Sequence, residues 1–202
     1  MTLLVYSFRD LIPFHLSWQW QKELVDERKL NPNLPDVLLL LEHPPVYTIG
    51  QGSSLSFFKR PVTYIATERG GEVTYHCPGQ LVGYVIVNLR RYRLDLHWYL
   101  RELEEVIIHS LKELGIKAGR KEKLTGVWVK DYKIAQIGIK VSRWITMHGF
   151  AINVAVDKAG FDPIVPCGIS DCQIANVVDF CSVNMEQVKR LVTNNFYGRF
   201  SS

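Results

Sequence analysis

Apolar residues recur at helical spacing in three stretches of the chain. The clearest is Leu96–Leu114, where leucines and isoleucines three and four residues apart fall on one face of a helix. Asp95 before this stretch is a favourable N-cap residue, and Gly115 after it is a favourable C′ residue. The pattern predicts a second helix over Ser17–Leu30, with Ser17 as its N-cap, and a third helix that starts after Ser182.

Short apolar segments of strand length lie between these helices. They are Val37–Leu41, Val46–Ile49, Val62–Ala66, Glu72–His76, Tyr84–Leu89, Gly126–Val129, Lys133–Lys140 and His148–Val156. The polar residues 130–132 predict a tight hairpin turn between the sixth and seventh segments. Because the strands cluster and do not alternate with helices one for one, the pattern favours an α+β fold with a mixed, largely antiparallel sheet and packed helices.

Length and composition indicate one globular domain. The 202 residues are 47% hydrophobic and 22% charged, which suffices for a core without disulfides or metals. The net charge of +4 is too small to indicate nucleic-acid binding, but it is compatible with an acidic protein partner. The longest aliphatic run, Val37–Leu41, is far shorter than a membrane span, and the N-terminus does not resemble a signal peptide. We therefore expect a cytoplasmic protein with reduced cysteines that binds neither membrane nor nucleic acid.

Several familiar catalytic motifs are absent from the sequence. It has no phosphate-binding loop, no strand-borne G-x-G-x-x-G, no G-x-S-x-G elbow and no H-E-x-x-H. The cysteines show no C-x-x-C pair, and the histidines show no metal-ligand spacing. The sequence therefore predicts neither a metal site nor a cofactor.

Three segments differ from ordinary sheet sequence. Residues 69–84 carry paired glycines, which let a ligand approach the backbone closely, although a plain β-hairpin with glycine turns explains them equally well. Lys133 opens an apolar strand, where a lysine is usually solvated but, if buried, can exchange protons with a neighbour. His148, in the segment after that strand, is by itself more typical of a hydrogen-bonded structural histidine.

The third segment, Asp162–Asp171, holds Cys167 in a stiff turn between proline and glycine. A thiolate there needs a nearby positive charge to form at neutral pH. An isolated cysteine is more often a small buried hydrophobic residue, and we interpret Cys77, Cys172 and Cys181 in that way.

Together these segments resemble the octanoyltransferases of lipoate biosynthesis, also called lipoyl(octanoyl) transferases. The family pattern R-G-G-x-V-T-Y-H-G-P-G-Q-L-x-x-Y is matched by residues 69–84, and its block of lysine followed by I/V-A-x-[IL]-G is matched by Lys133–Gly138. Its blocks H-G-[FL]-A-[IL]-N and P-C-G are matched by His148–Asn153 and Pro166–Gly168. An early L-x-E-H-x-P-V-[YF]-T stretch is similar to residues 41–48. Each motif alone is weak, but five in register are specific.

The resemblance implies that residues 1–202 form a single catalytic domain with the α/β fold of biotin- and lipoate-protein ligases. It implies an acyltransferase that moves an octanoyl or lipoyl group from acyl carrier protein to a lysine of a lipoyl domain, through a cysteine thioester. The acceptors would be lipoyl domains of 2-oxoacid dehydrogenase complexes and the glycine cleavage H protein. No ATP is needed, because the acyl group arrives already activated. We expect the protein to be a monomer.

Carried over position by position, Cys167 is the nucleophile, and Lys133 is the lysine that promotes its ionisation. The positions that match acyl-substrate binding are Arg69, Gly70, Gly71, Glu72, Val73, Thr74, Tyr75, His76, Gln136, Ile137, Gly138, Gly149, Phe150 and Ala151. To these we add the Gly168 N–H as an oxyanion donor. Val73, Tyr75, Ile137 and Phe150 are candidate linings for the acyl chain.

Two positions depart from the family pattern. Cys77 stands where the family has glycine, and Gln136 stands where it tends to carry a small residue. Both bear on acyl-chain preference. Two other functions stay open: an ATP-dependent lipoate- or biotin-protein ligase, which would need no cysteine, and a non-catalytic module that binds acyl carriers or lipoyl domains.

Overall fold

The computed structural model describes residues 2–169 and 172–200. Its strands are β1 (Leu3–Leu11), β2 (Asp36–Glu42), β3 (Val46–Ile49), β4 (Tyr64–Ala66), β5 (Thr74–His76), β6 (Gln80–Ile86), β7 (Gly119–Lys121), β8 (Leu124–Val129), β9 (Tyr132–Ser142), β10 (Ile145–Asn153) and β11 (Gln173–Ile174). Its α-helices are α1 (Phe14–Leu30), α2 (Leu96–Glu113) and α3 (Met185–Phe200).

The main sheet has the strand order β1-β2-β6-β10-β9-β8-β7, and β11 pairs with β9. The pairs β1/β2 and β9/β11 are parallel, and the other pairs in this sheet are antiparallel. A smaller sheet has the order β4-β3-β5. The predicted α+β fold with a mixed, largely antiparallel sheet is therefore confirmed.

Helices and the small sheet cover the two faces of the main sheet. Leu38 and Leu40 of β2 pack into the core that contains α2 and α3. The alternate residues Val37, Leu39 and Leu41 pack on the opposite face, against residues of α1 and the small sheet. A strand buried on both faces is apolar at every position, which explains the continuous aliphatic run in the sequence.

The helix boundaries confirm the prediction for α2 and correct it for α1. The Asp95 side chain accepts a hydrogen bond from Trp98 N at 3.0 Å, and Gly115 has the positive φ of 76° that suits a C′ residue. Helix α1 begins earlier than predicted, directly after Pro13, so the prediction of Ser17 as N-cap was wrong. Ser17 Oγ lies within the helix and donates to Phe14 O.

The predicted hairpin is confirmed by the antiparallel pairing of β8 with β9, in which Val129 lies opposite Tyr132. The sequence analysis missed β1, β7 and β11. Strand β1 is an edge strand with exposed side chains such as Tyr6, so its sequence lacks a long apolar run. Among the described residues, no helix is both long and apolar enough to span a bilayer.

Candidate active site

A cavity of about 290 Å³ lies between the loop before β5, strands β6, β9 and β10, and the turn Pro166–Gly168. It is lined by most of the residues that the family resemblance singled out: Arg69, Gly71, Glu72, Val73, Thr74, His76, Lys133, Gln136, Ile137, Gly138, Gly149, Phe150, Ala151 and Cys167. Segments far apart in the sequence thus meet around one space. The antiparallel pairing of β9 with β10 sets Gly149 opposite Gly138 and brings two of these segments together.

Two predicted site residues lie behind the cavity wall. Gly70 N donates to Ile139 O at 2.9 Å and ties the loop to β9. The Tyr75 ring packs against Tyr47 and Phe161 in a separate cluster and does not line the cavity.

Other lining residues were not assigned to the site from the sequence. They are Phe14, Val82, Tyr84, Lys123, Leu124, Thr125, His148 and Ile169. Tyr84 and His148 belong to the family motifs, and their place in those motifs was the signal that could have found them. Phe14 comes from α1, and nothing in its local sequence marks it.

Cys167 sits in a left-handed backbone conformation, with φ 57° and ψ 21°. Such a conformation is unusual for a side chain with a Cβ, and it is held here by a hydrogen bond from Cys167 N to Val73 O at 3.2 Å. That bond fixes the turn against the cavity wall. The next residue, Gly168, donates its N–H to Val165 O at 3.0 Å. This N–H is therefore engaged within the turn, and the role of Gly168 as an oxyanion donor stays a prediction.

Lys133 is buried, with only 2% of its surface exposed, and it lines the same cavity as Cys167. Its ammonium nitrogen lies 5.4 Å from the centroid of the Trp128 ring. Within residues 2–169 and 172–200, that nitrogen has no hydrogen-bond or ion-pair partner. A buried charge without a partner is costly and is more typical of functional sites than of structural ones.

Arg69 brings a second positive charge to the cavity. Its Nη2 donates to Thr48 O and to Thr48 Oγ1, both at 2.9 Å, so the guanidinium is fixed in place. Burial lowers the pKa of Arg69, whereas a negative charge on Cys167 acts in the opposite direction. The two side chains are thus close enough to interact electrostatically, and a guanidinium stays charged at physiological pH.

The cysteines differ in their surroundings. Burial raises the pKa of Cys172 to about 11, and a negative charge on nearby Cys167 adds to this effect. Burial also raises the pKa of Cys77 to about 11. Both groups are therefore neutral thiols at physiological pH. Cys77 packs with Val156 and Phe161 and does not line the cavity.

A cluster of neutral histidines stands behind and beside the apolar part of the cavity. His43 Nδ1 donates to Ile12 O at 2.5 Å, and its Nε2 accepts from the Tyr84 hydroxyl at 2.7 Å. His76 Nδ1 donates to Gln80 Oε1 at 2.6 Å. Burial lowers the pKa of His43 to about 4 and that of His76 to about 3. Both rings are thus uncharged at physiological pH.

Buried polar atoms without a partner are found at this cavity. In the part of the chain that the structure describes, they include Glu72 Oε2 and His148 Nε2, although the latter lies 3.7 Å from the Glu68 carboxylate. His148 also has a positive φ of 59° in the middle of β10. Unsatisfied groups and local strain of this kind are typical of sites that await a ligand. The described residues contain no group of three His, Cys, Asp or Glu side chains that could hold a metal ion.

Three comparisons with known proteins agree with this geometry. The family model for the lipoyl protein ligase A/B catalytic domain matches residues 13–197. An octanoyltransferase of Synechococcus elongatus is 56% identical over 189 residues, which cover 91% of this chain and 81% of that protein. An octanoyltransferase of Nostoc punctiforme is 53% identical over 199 residues, which cover 96% of this chain and 86% of that protein. The crystal structure of lipoate-protein ligase A bound with ATP shares the fold, with a TM-score of 0.75, 18% identity and coverage of 99% of this chain and 85% of that chain.

Proposed function

The chain belongs to the lipoyl protein ligase A/B catalytic domain family, and on that premise we propose that it is an octanoyltransferase that works through a thioester on Cys167. The donor is octanoyl-acyl carrier protein. The acceptor is a lysine of a lipoyl domain, in a 2-oxoacid dehydrogenase complex or in the glycine cleavage H protein. The observation that carries the proposal is that the Cys167 thiol and the buried Lys133 ammonium line one cavity.

The reaction divides into two acyl transfers. The Cys167 thiolate attacks the carbonyl carbon of the donor thioester, and the carrier thiolate leaves with a proton from the Lys133 ammonium, which becomes a neutral amine. The donor can then depart. The acceptor lysine, as a free amine, attacks the acyl-Cys167 carbonyl, so that an amide forms and the Cys167 thiolate returns.

Two positive charges favour the thiolate at the start of this cycle. The Lys133 ammonium and the fixed Arg69 guanidinium both line the cavity that Cys167 faces, and a positive charge near a cysteine stabilises its ionised form. In the second transfer Lys133, as a neutral amine, takes the proton that the acceptor lysine must lose.

The rest of the cavity suits an alkyl chain. Val73, Val82, Ile137 and Phe150 supply apolar walls, and the neighbouring His76 is uncharged. Phe150 reaches into this space because β6 has glycine opposite it: a Cβ on Gly83 would lie 2.2 Å from the tip of the Phe150 ring. The proposal also assigns the protein to the cytoplasm, as a monomer that meets its two partners in turn.

Mass spectrometry of the intact protein tests the nucleophile. Incubation with octanoyl-acyl carrier protein should add one octanoyl group to the wild type and to Cys172→Ala, but none to Cys167→Ala. An adduct on Cys167→Ala would overturn the assignment. If wild type takes no acyl group from the carrier but releases pyrophosphate from ATP and free octanoate, the protein is a ligase and the proposed function is wrong.

A further inference from the structure

Trp128 and Lys133 face each other across the β8/β9 hairpin. They are register partners in the antiparallel pairing, so their side chains stand on the same side of the sheet. The neighbours Val127 and Val129 point into the core on the opposite side. The Lys133 ammonium lies 5.4 Å from the centroid of the Trp128 ring, within the range of a cation–π interaction.

Gly126 makes room for this lysine. Its φ of 123° favours glycine, and a Cβ there would lie 2.8 Å from Lys133 Cε and 3.4 Å from Lys133 Nζ. Gly126 N donates to Glu104 Oε1 at 3.0 Å, which anchors this backbone to α2. The lysine therefore occupies a slot between a bare Cα and an aromatic ring.

The Trp128 ring attracts the Lys133 ammonium, for which the described residues provide no hydrogen bond or ion pair. Lys121 lies over the same ring and pairs with Asp131. The other charged or titratable groups around Lys133 are Cys167, Cys172, Glu72, Arg69 and Lys123. Cys172 is a neutral thiol, the proposed Cys167 thiolate attracts the ammonium only while it is ionised, and Lys121, Lys123 and Arg69 disfavour a nearby ammonium. Of the two acidic groups among these residues, Asp131 pairs with Lys121, and within the described chain Glu72 forms no hydrogen bond or ion pair with Lys133. An ammonium in such a place gains from the negative face of an indole ring.

We propose that Trp128 is a positioning residue for Lys133: its ring holds the ammonium group charged and fixed in the cavity, in the space that Gly126 leaves open. The inference rests on the proposed function, because that function gives the charged Lys133 its task beside Cys167. Trp128 itself takes no part in bond making.

The direct test is a titration of Lys133 by NMR, with its side-chain signal assigned by comparison with Lys133→Met. Trp128→Leu removes the aromatic face, and we expect Lys133 to lose its proton about one pH unit lower, a tenfold change. Trp128→Phe keeps a ring of smaller size and should restore most of the difference. If Trp128→Leu does not fold, Trp128→Met takes its place beside Trp128→Phe.

Two controls separate the ring from general disturbance. Lys121→Met removes the other ammonium on the same ring and should move the Lys133 titration upward or leave it unchanged. Trp98→Leu makes the same substitution at a half-buried tryptophan that packs on Tyr92 and Phe200, and should leave the titration unchanged. An unchanged Lys133 titration in Trp128→Leu, or an equal drop in the leucine and phenylalanine variants, would overturn the proposal.

The pH profile of Cys167 alkylation by iodoacetamide then links the ring to the chemistry. If the ring keeps the ammonium in place beside Cys167, alkylation in Trp128→Leu should slow at pH 7 and recover at high pH, whereas a distorted site would be slow at every pH. A shifted Lys133 titration with an unshifted alkylation profile would leave the positioning role intact and remove Lys133 from the proposed mechanism. Absence of the acyl adduct in wild type would refute the proposed function alone, because neither titration uses the acyl donor.

Discussion

Two buried charges on opposite faces of the central sheet, Glu104 and Lys133, have opposite surroundings. On the α2/α3 face, the fully buried Glu104 has both oxygens satisfied: Oε2 accepts from Arg101 and Arg120 at 2.6 Å, and Oε1 accepts from Gly126 N at 3.0 Å. On the cavity face, Lys133 has an aromatic ring but, among the described residues, no hydrogen-bond or ion-pair partner. Gly126 stands between the two faces and contacts both groups.

The difference distinguishes Glu104, a charge that contributes to stability, from Lys133, a charge with a proposed role in the reaction. A charge that serves only stability is buried together with its partners, because an unpaired one costs several kcal/mol. A charge that serves a reaction must be left open for the substrate or the nucleophile. The unpartnered Glu72 Oε2 lies on the same cavity, which extends the contrast beyond Lys133.

The largest effect is expected from breaking the satisfied charge. Glu104→Leu leaves the Gly126 N–H buried without an acceptor and removes the partner of two arginines. We expect the free energy of unfolding to fall by about 3 kcal/mol. Urea denaturation of the wild type and the variant measures this difference.

Glu102→Leu is the matched control on the same helix. Glu102 accepts from Arg199 at 2.7 Å near the surface, where an ion pair contributes about 1 kcal/mol or less. Equal losses of unfolding free energy in the two variants would show that the Glu104 network stabilises the fold no more than a surface ion pair. The contrast between the two faces would then fail.

The α2/α3 face could be predicted from the sequence because local spacing defines it. The apolar period of α2, the Asp95 cap and Gly115 are all local signals, and the structure confirms them. The cavity face could be predicted only as separate motifs that the family resemblance joined. The meeting of Cys167 with Val73, and the entry of Phe14 from α1, depend on tertiary packing that no local pattern encodes.

For the same reason, the pairing of Trp128 with Lys133 could not be predicted from the sequence. The hairpin between their strands was predicted, but which residues lie opposite each other depends on an irregularity in β8/β9 pairing between Val127 and Trp128. Gly126 likewise looked like an ordinary strand residue. Its requirement for glycine became visible only with the Lys133 side chain beside it.

The buried neutral histidines beside the cavity should make the stability of the protein depend on pH. Burial lowers the folded pKa of His43 to about 4 from the ordinary value of 6.5, and its neighbours in the cluster are His76, Tyr84 and Phe14. The unfolded chain therefore binds a proton that the folded protein does not, so stability is full above pH 6.5 and falls as the pH drops toward 4. Between pH 6.5 and 5 we expect a loss of about 2 kcal/mol from His43.

Denaturant unfolding at several pH values checks this slope. The amide of His43→Asn can still donate to Ile12 O. Between pH 6.5 and 5, the free energy of unfolding of this variant should depend less steeply on pH, by the equivalent of about one proton, even if its stability at pH 7 is lower. His76 adds a similar slope and is left unchanged in this variant, so part of the pH dependence should remain. A variant as pH-sensitive as the wild type would mean that His43 is protonated in the folded state.

Removing the unpartnered charge should have a smaller effect on stability, with the opposite sign. In Lys133→Met a thioether chain of similar length replaces a desolvated ammonium, and we expect the free energy of unfolding to rise by about 1 kcal/mol. Acyl transfer and Cys167 alkylation at pH 7 should both slow. A less stable Lys133→Met would show that the lysine is a structural charge, and the contrast with Glu104 would disappear.

The smallest effect is expected at Cys77, which lies outside the cavity despite its place in the family motif. Cys77→Ala shortens a side chain in the cluster with Val156 and Phe161 and should cost about 1 kcal/mol or less. The relative rates with hexanoyl, octanoyl and decanoyl donors should stay unchanged, because the cavity walls are untouched. Val82→Ala, at a lining position, should instead shift the preference toward the longer donor. A changed preference in Cys77→Ala would place that residue at the acyl chain after all and would extend the cavity face to the cluster with Val156 and Phe161.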